Sequence, residues 1–176
     1  MKENNDLFEL KNTTEAFDST GEEFSEAVLG VAEKPVDEIT IEAETSEIEK
    51  ALDFISEKTG NLPFPLKEKN RIEIAVDEIV SNIVNYAYDD GKGSVSIKTE
   101  SDSDGITITV TDSGIPYNPL EKEDPDITLS ADERRIGGYG IFIVKNIMDN
   151  VGYDYKDGKN IFTMRKNIQN KEKINE

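Results

Sequence analysis

The sequence predicts a two-layer α/β sandwich, in which a mixed β-sheet is covered by helices on one face. Apolar residues recur at steps of three and one from residue 72 to residue 87, which is typical of a helix with one buried side. Apolar and polar residues alternate strictly from 106 to 111, which is typical of a half-buried strand. Helices and strands that are apolar on one side can bury those sides against each other in two layers.

The other elements of the N-terminal half follow in chain order. Residues 1–37 are acidic and predict a loosely ordered extension, in which residues 22–32 have the spacing of an amphipathic helix. A strand is predicted at 38–42 and a helix at 46–58. The proline-containing segment 61–65 predicts the loop that leads into the long helix.

The C-terminal half is predicted to contain two hairpins separated by a helix. In order, the elements are a hairpin of strands 94–100 and 106–111, a helix at 141–151, and a hairpin of strands 153–155 and 161–165. The folded domain is therefore expected to span residues 38–168, and a polar tail to occupy 169–176.

Composition excludes several classes of function. The chain has 176 residues and a net charge of −18 without a basic cluster, which disfavours direct binding to nucleic acids or anionic membranes. It has no cysteine, so disulfides and thiolate metal sites are excluded, and no histidine, so it cannot carry the phosphoacceptor of a sensor histidine kinase. No apolar run approaches the roughly 20 residues that cross a bilayer, and the N-terminus lacks a secretory pattern, so a cytoplasmic location is expected.

The first candidate functional block lies on the long helix. Glu78, Asn82 and Asn85 step by four and three residues, so they share a stripe displaced from the buried one. Mg²⁺ prefers oxygen ligands and keeps several waters, so the Asn82 amide oxygen together with phosphate oxygens would suffice to hold it. Glu78 would then orient or deprotonate an attacking hydroxyl or water. The alternative is that these side chains only solvate an amphipathic helix.

The second block, Asp112 to Pro116, follows the strand at 106–111. A carboxylate at a strand end can accept a hydrogen bond from the exocyclic amine of adenine, and Gly114 would allow the backbone to approach a flat ligand closely. Such a carboxylate would select adenine over guanine. The alternative is an ordinary Asp-Ser-Gly turn that ends at Pro116.

The third block is a glycine cluster at a helix start, Gly137-Gly138-Tyr139-Gly140. Backbone N–H groups at the start of a helix form an anion-binding site, so this block predicts phosphate contacts. The cluster is neither a P-loop nor a dinucleotide fingerprint, because the required neighbouring residues are absent. The alternative is a hinge or helix entry without a ligand.

A polar segment between the second and third blocks predicts a lid over the site. Arg134 and Arg135 lie near its end, where a guanidinium could contact the β- and γ-phosphates and stabilise charge during transfer. The alternative is a surface pair neutralised by the adjacent Asp132 and Glu133.

With these three blocks in this order, residues 38–166 resemble the GHKL superfamily of ATP-binding domains. Within it, the run from Asp112 to Pro119 resembles the anti-sigma-factor serine/threonine kinases of bacterial partner-switching systems. The resemblance implies a catalytic Glu78 and a Mg²⁺ ligand at Asn82. The segment before Gly137 lacks the lid sequence of the best-known family members, so the roles of Arg134 and Arg135 rest on their position alone. It also implies a polar residue near the adenine on the last strand, for which both Asn160 and Thr163 are candidates. The residues expected to contact ATP are Asn82, Asn85, Asp112, Gly114, Pro116, Gly137, Gly138, Tyr139, Gly140 and Thr163.

The same resemblance implies a function. It is that of an ATP-dependent protein kinase that holds a sigma factor inactive and phosphorylates a small anti-sigma-factor antagonist on Ser or Thr. The resemblance also implies a homodimer. Two rival hypotheses are a nucleotide-gated binding module without phosphotransfer and the ATP-binding half of a split histidine kinase.

Overall fold

The computed structural model of the protein describes residues 36–89, 92–121, 125 and 139–168. Among these residues are five strands, three α-helices and two short 3₁₀ turns, at Thr45–Glu47 and Pro119–Glu121. The strands are β1 (Val36–Glu42), β2 (Ser94–Asp102), β3 (Gly105–Asp112), β4 (Asn150–Lys156) and β5 (Lys159–Asn167), and the helices are α1 (Ile48–Gly60), α2 (Leu66–Tyr86) and α3 (Tyr139–Ile147). The predicted extension at 1–37 lies outside the described residues except for its last two, and the tail at 169–176 lies wholly outside them.

The five strands form one sheet in the order β1-β2-β3-β5-β4, and each described pair is antiparallel. The predicted α/β sandwich is confirmed, but the prediction that its sheet is mixed is wrong. Two helices, α1 and α2, connect β1 to β2. The first helix leads away from the end of β1 and the second leads back to it, so β2 starts beside the end of β1 and runs antiparallel to it. One helix separates β3 from β4, which run in the same direction, but β5 lies between them and no parallel pair forms.

One face of the sheet carries the core. Alternate residues of β2, β3 and β5 are buried, and they form a single cluster with the buried side chains of α1, α2 and α3. The opposite face carries half-buried polar side chains such as Lys98 and Thr109. The predicted apolar stripe of α2 is confirmed by the burial of Ile72, Ala75, Val76, Ile79 and Val80.

Several element boundaries differ from the prediction. The first strand begins at Val36 rather than residue 38. By contrast, α2 begins directly after Pro65, where the predicted loop ends. The helix expected to continue to residue 151 ends at Ile147 instead. Val151 belongs to β4, where it pairs with Met164, so strand pairing overrides the helical spacing of its side chain.

Two cations satisfy the last carbonyls of α3. Arg71 on α2 donates from Nη2 to the carbonyl oxygen of Asn146 at 3.1 Å, and Lys166 on β5 donates from Nζ to that of Ile147 at 2.8 Å. The buried Lys166 also lies 3.4 Å from Oε2 of Glu68. Burial raises the pKa of Glu68, but hydrogen bonds and charge from Arg71 and Lys166 outweigh this and lower it overall. The C-terminal end of α3 is therefore attached to both α2 and the sheet.

Nowhere in the described residues is there a helix long and apolar enough to cross a membrane.

Candidate functional site

Asp112, the last residue of β3, is the centre of one end of the site. It is buried, with 6% of its surface exposed. Its Oδ1 accepts hydrogen bonds from the backbone N–H of Gly114 at 2.8 Å and from Nδ2 of Asn160 at 2.9 Å. Both of these contacts fall on the same oxygen, so Oδ2 has none from the described residues and can accept a hydrogen bond from a ligand.

Asn160 is the residue of the last strand that accompanies Asp112. The two residues are partners in the β3–β5 register, and both are buried on the helix-facing side of the sheet. Asn160 also accepts a hydrogen bond at Oδ1 from the hydroxyl of Tyr153 at 2.7 Å. Burial, together with the charge of Asp112, raises the pKa of Tyr153, so its hydroxyl stays protonated and able to donate.

The assignment of Thr163 to the nucleotide site does not agree with the structure. Thr163 pairs with Thr109, and both lie among the half-buried positions that alternate with the core positions. Successive side chains of a strand point to opposite faces, so Thr163 lies on the face of the sheet away from Asp112. Of the two candidates on the last strand, Asn160 is the one beside the carboxylate.

The loop after Asp112 rests on the C-terminal end of α2. The N–H of Ile115 donates to the carbonyl oxygen of Ala87 at 2.8 Å, and the hydroxyl of Tyr88 accepts from the N–H of Ser113 at 3.1 Å. A Cβ added to Gly114 would lie 2.3 Å from the Ala87 carbonyl oxygen, so only glycine fits this approach. Gly114 is therefore required by the packing of the loop on α2. Pro116 is exposed in the same loop.

The other end of the site is formed by α2 and the first turn of α3. A Cβ added to Gly140 would lie 2.4 Å from Oε2 of Glu78 and 3.6 Å from Nδ2 of Asn82. The helix start that follows the glycine cluster therefore lies directly against the acid and the amide, as expected for one site. Tyr139, the first residue of α3, is half-buried.

Glu78 has an environment suited to proton transfer. Burial raises its pKa, and the negative charge of the neighbouring Asp77 raises it further. Ser81 donates a hydrogen bond to Oδ1 of Asp77 at 2.9 Å, which holds that carboxylate on the helix surface. A carboxylate with a raised pKa is a better general base near neutral pH than an ordinary one.

Asn85 differs from the other two polar residues of the stripe. It is exposed, and its Nδ2 donates to the carbonyl oxygen of Ser81 at 2.7 Å, one turn earlier on the same helix. Its side-chain oxygen has no described partner. Its proposed contact with the nucleotide stays a prediction. Gly137, Gly138, Arg134 and Arg135 lie outside the described residues, and their roles stay predictions too.

The two ends of the site are separated by the C-terminal part of α2. Glu78 and Ala87 are nine residues apart, which corresponds to about 14 Å along a helix. The acceptor at Asp112 and the turn at Gly140 are thus placed at opposite ends of one elongated site. An extended nucleoside triphosphate has a base at one end and a phosphate at the other and fits this arrangement.

The donor set near Asn82 is consistent with Mg²⁺ bound together with phosphates. Within the described part of the chain, no group of three or more acidic side chains is placed to hold a metal ion unaided. Mg²⁺ usually takes only one or two protein ligands at phosphate sites and completes its shell with phosphate oxygens and water. The side-chain amide of Asn82 would supply one such ligand.

Sequence reasoning missed the supporting residues of this site. The sequence predicts Tyr153 only as a strand residue and assigns no role to Tyr88 or to the carbonyl of Ala87. Their contacts join residues distant in sequence, such as Tyr88 and Ser113, so no local pattern indicates them.

Comparison with known proteins identifies the fold and family. Residues 41–166 match the family model described as a histidine kinase-like ATPase domain. The chain belongs to this family. The family match confirms the resemblance to the GHKL superfamily, and the matched range contains both ends of the described site.

This ATPase domain is similar to several curated bacterial proteins. It is 24% identical over 94 residues to the serine/threonine-protein kinase BtrW of Bordetella bronchiseptica and 29% identical over 94 residues to the anti-sigma F factor of Clostridium acetobutylicum. Each match covers 53% of the chain and 66% of the relative. It is also 27% identical over 106 residues to the serine-protein kinase RsbW of Listeria monocytogenes, which covers 57% of the chain and 67% of the relative. These matches confirm the resemblance to anti-sigma-factor kinases. The chain spans about two thirds of the length of these relatives.

A solved structure supports the fold of the ATPase domain. The crystal structure of the RsbU and RsbW domains of Rv1364c from Mycobacterium tuberculosis matches with a TM-score of 0.52 and 16% identity. The match covers 75% of this chain and 32% of that chain. At this identity the likeness concerns the fold, and it confirms the predicted sandwich.

Proposed function

We propose that this protein is an ATP-dependent protein serine/threonine kinase and anti-sigma factor that phosphorylates a small antagonist protein. The observation that carries the proposal is the contact of Glu78 and Asn82 with the first turn of α3 at Gly140. It brings together a carboxylate that would act as general base, an amide that would bind Mg²⁺ and a helix start whose N–H groups would bind phosphate. The names of the relatives, which include serine kinases and an anti-sigma factor, support the choice of reaction and partners.

Asp112 would bind the adenine. Its Oδ2, which has no partner among the residues that the structure describes, can accept a hydrogen bond from the 6-amino group, whereas the 6-oxo group of guanine offers only an acceptor. The triphosphate would extend along α2 toward Gly140, where backbone N–H groups at the start of α3 favour negative charge.

Glu78 would act as the general base. It accepts the proton of the attacking Ser or Thr hydroxyl while the new bond forms between that oxygen and the γ-phosphorus. The bond from the γ-phosphorus to the bridging oxygen breaks, and ADP leaves. Asn82 would hold Mg²⁺, which neutralises phosphate charge when bound, and Arg134 or Arg135 would add to this from the lid. Most of the rate enhancement would come from positioning and charge neutralisation.

The biological role follows from two alternative partners. A bound sigma factor would be kept from RNA polymerase, and a bound antagonist would be phosphorylated and released. The net charge of −18 is consistent with action on proteins rather than on nucleic acid, in the cytoplasm. The homodimer that the family resemblance implies stays a prediction.

The test uses the full chain in lysate from its source organism with γ-labelled Mg-ATP. Wild type, Asn82→Ala and Glu78→Gln are compared by capture of bound proteins and mapping of phosphorylated residues. The matched control is Asn61→Ala, which removes an exposed amide after α1 that bonds to the carbonyl of Glu57. We expect a small protein phosphorylated on Ser or Thr with wild type and Asn61→Ala only.

Two results would contradict the proposal and indicate a rival function. ATP-dependent capture of a partner without phosphate transfer would indicate a binding module, and Glu78 would then have no catalytic role. An acid-labile phosphate on the partner would indicate phosphohistidine, and hence the ATP-binding half of a split histidine kinase.

A further inference from the structure

We infer that Tyr153 and Asn160 are positioning residues that make the site specific for a 6-aminopurine by fixing the carboxylate of Asp112 as a pure acceptor. The inference rests on the proposed nucleotide site and goes beyond it, because neither residue needs to touch the nucleotide. Three observations carry it: the hydrogen bonds of Asn160, the direction of the bond from Tyr153, and the pattern of bonds on Asp112.

The side-chain amide of Asn160 uses all four of its hydrogen-bonding positions. Oδ1 accepts from the hydroxyl of Tyr153 at 2.7 Å and from the backbone N–H of Tyr117 at 3.2 Å. Nδ2 donates to Oδ1 of Asp112 at 2.9 Å and to the backbone carbonyl of Ile115 at 3.2 Å. An asparagine amide has two donor hydrogens and two acceptor lone pairs, so no position is left for a ligand.

Two backbone groups determine which way this amide faces. The N–H of Tyr117 can only donate and the carbonyl of Ile115 can only accept, so a flipped amide would oppose like groups at both positions. Asn160 therefore has to present Nδ2, a donor, to Asp112. The Tyr153 hydroxyl adds a second donor to Oδ1 and strengthens the same orientation.

The consequence for Asp112 is that one of its oxygens is saturated. Oδ1 accepts from Nδ2 of Asn160 and from the N–H of Gly114, so a carboxylate here has only the lone pairs of Oδ2 left for a ligand. The remaining oxygen, Oδ2, therefore offers only an acceptor. It matches the 6-amino group of adenine and opposes the 6-oxo group of guanine. A site that is built to bond a substrate N–H rejects analogues that lack it.

The chain provides a matched pair of tyrosines for the test. Tyr153→Phe removes one hydroxyl and leaves the ring in place. Tyr155→Phe does the same two residues later on β4, where the ring is 45% exposed. A second variant, Asn160→Asp, keeps the shape of the side chain and replaces the donor that faces Asp112 with an acceptor.

The measurement is calorimetric binding of three nucleotides to the full chain in the presence of Mg²⁺. ATP is compared with purine riboside triphosphate, which lacks the 6-amino group, and with GTP. The dissociation constant of the analogue divided by that of ATP reports the contact of the amine with Asp112 alone. We expect Tyr153→Phe to reduce this ratio about three- to tenfold, mainly by weakening ATP binding. Asn160→Asp should reduce it further and improve GTP relative to ATP, whereas Tyr155→Phe should leave it unchanged.

A merely structural role for Tyr153 would give a different result. Loss of packing would weaken all three nucleotides equally and leave the ratio as in wild type, and that outcome would overturn the inference. Wild type that discriminates between the nucleotides but transfers no phosphate would refute the proposed kinase function and leave this inference intact. Wild type that binds ATP no better than the analogue would overturn the inference without bearing on phosphotransfer.

Discussion

Gly140→Ala is the substitution with the most selective expected effect on catalysis. The new Cβ would lie 2.4 Å from Oε2 of Glu78, whereas carbon and oxygen atoms in ordinary contact are separated by about 3.5 Å. The carboxylate of Glu78 is at the free end of a side chain, so it would move by about 1 Å while the helices stay in place. A misplacement of this size costs on the order of 100-fold in rate when the displaced group takes part in the reaction.

Folding and nucleotide binding should be affected much less than transfer. Gly140 has a backbone conformation that alanine can adopt, and alanine at such a helical position stabilises by about 0.4–1 kcal/mol. The amide of Asn82 would lie 3.6 Å from the new Cβ, which is an ordinary contact. We therefore expect a melting temperature equal to or above that of wild type, little change in ATP affinity, and a transfer rate reduced about 100-fold.

The assay is single-turnover transfer from γ-labelled ATP to the captured antagonist, with binding and thermal melting measured on the same preparations. Gly152→Ala is the control, because a Cβ at that glycine of β4 would meet no atom within 4 Å. A Gly140→Ala variant that folds, binds ATP and transfers phosphate at the wild-type rate would refute the placement of Glu78 at the reaction centre.

Two further predictions concern charged groups. Asp77→Asn removes the second cause of the raised pKa of Glu78, so this pKa should fall. The acid limb of the pH–rate profile should then move to lower pH. An unmoved limb would mean that Glu78 is not the titrating base. The shift should be partial, because burial is the larger cause and remains. Lys166→Met leaves the carboxylate of Glu68 with one fewer partner and should lower the free energy of unfolding by about 3 kcal/mol, measured by urea denaturation against the exposed control Lys159→Met. The pKa of Glu68 is lowered in the folded protein, so its ionised carboxylate stabilises the fold above its ordinary pKa of 4.5, and this stabilisation is lost as pH falls through the folded pKa. Lys166→Met and Lys159→Met should therefore converge in stability at acidic pH. A loss that stays constant with pH would contradict this.

The sequence predicted most of the elements because their local patterns agree with their tertiary surroundings. The alternation from 106 to 111 and the apolar stripe of α2 both follow from burial of one side, which is a property of neighbouring residues. Whether the sheet is mixed depends on which strands are neighbours, and the position of β5 between β3 and β4 is not visible in any local pattern. The end of α3 depends on the pairing of Val151 with Met164 on β5. Because Val151 also has the spacing of a helix residue, its position in the sequence does not indicate this pairing.

The choice between Asn160 and Thr163 was available from the sequence. Asn160 has the same parity as Phe162 and Met164, the apolar residues that face the helices, whereas Thr163 alternates with them. Parity along the strand therefore indicates which residue shares a face with the core and with Asp112. No pattern in the sequence indicates that the hydroxyl of Tyr153 bonds to Asn160. That contact depends on the turn between β4 and β5 and on the backbone of the loop at Tyr117, which also bonds to Asn160.

Both ends of the site are positioned by α2, so an insertion or deletion in this helix should displace one end relative to the other. The loop at Gly114 is positioned by the carbonyl of Ala87, and the reaction centre by Glu78 and Asn82 on the same helix. One residue inserted between Asn82 and Ala87 would turn the two ends about 100° relative to each other and separate them by a further 1.5 Å or so. The number of residues between these positions is therefore as much a part of the site as their identity.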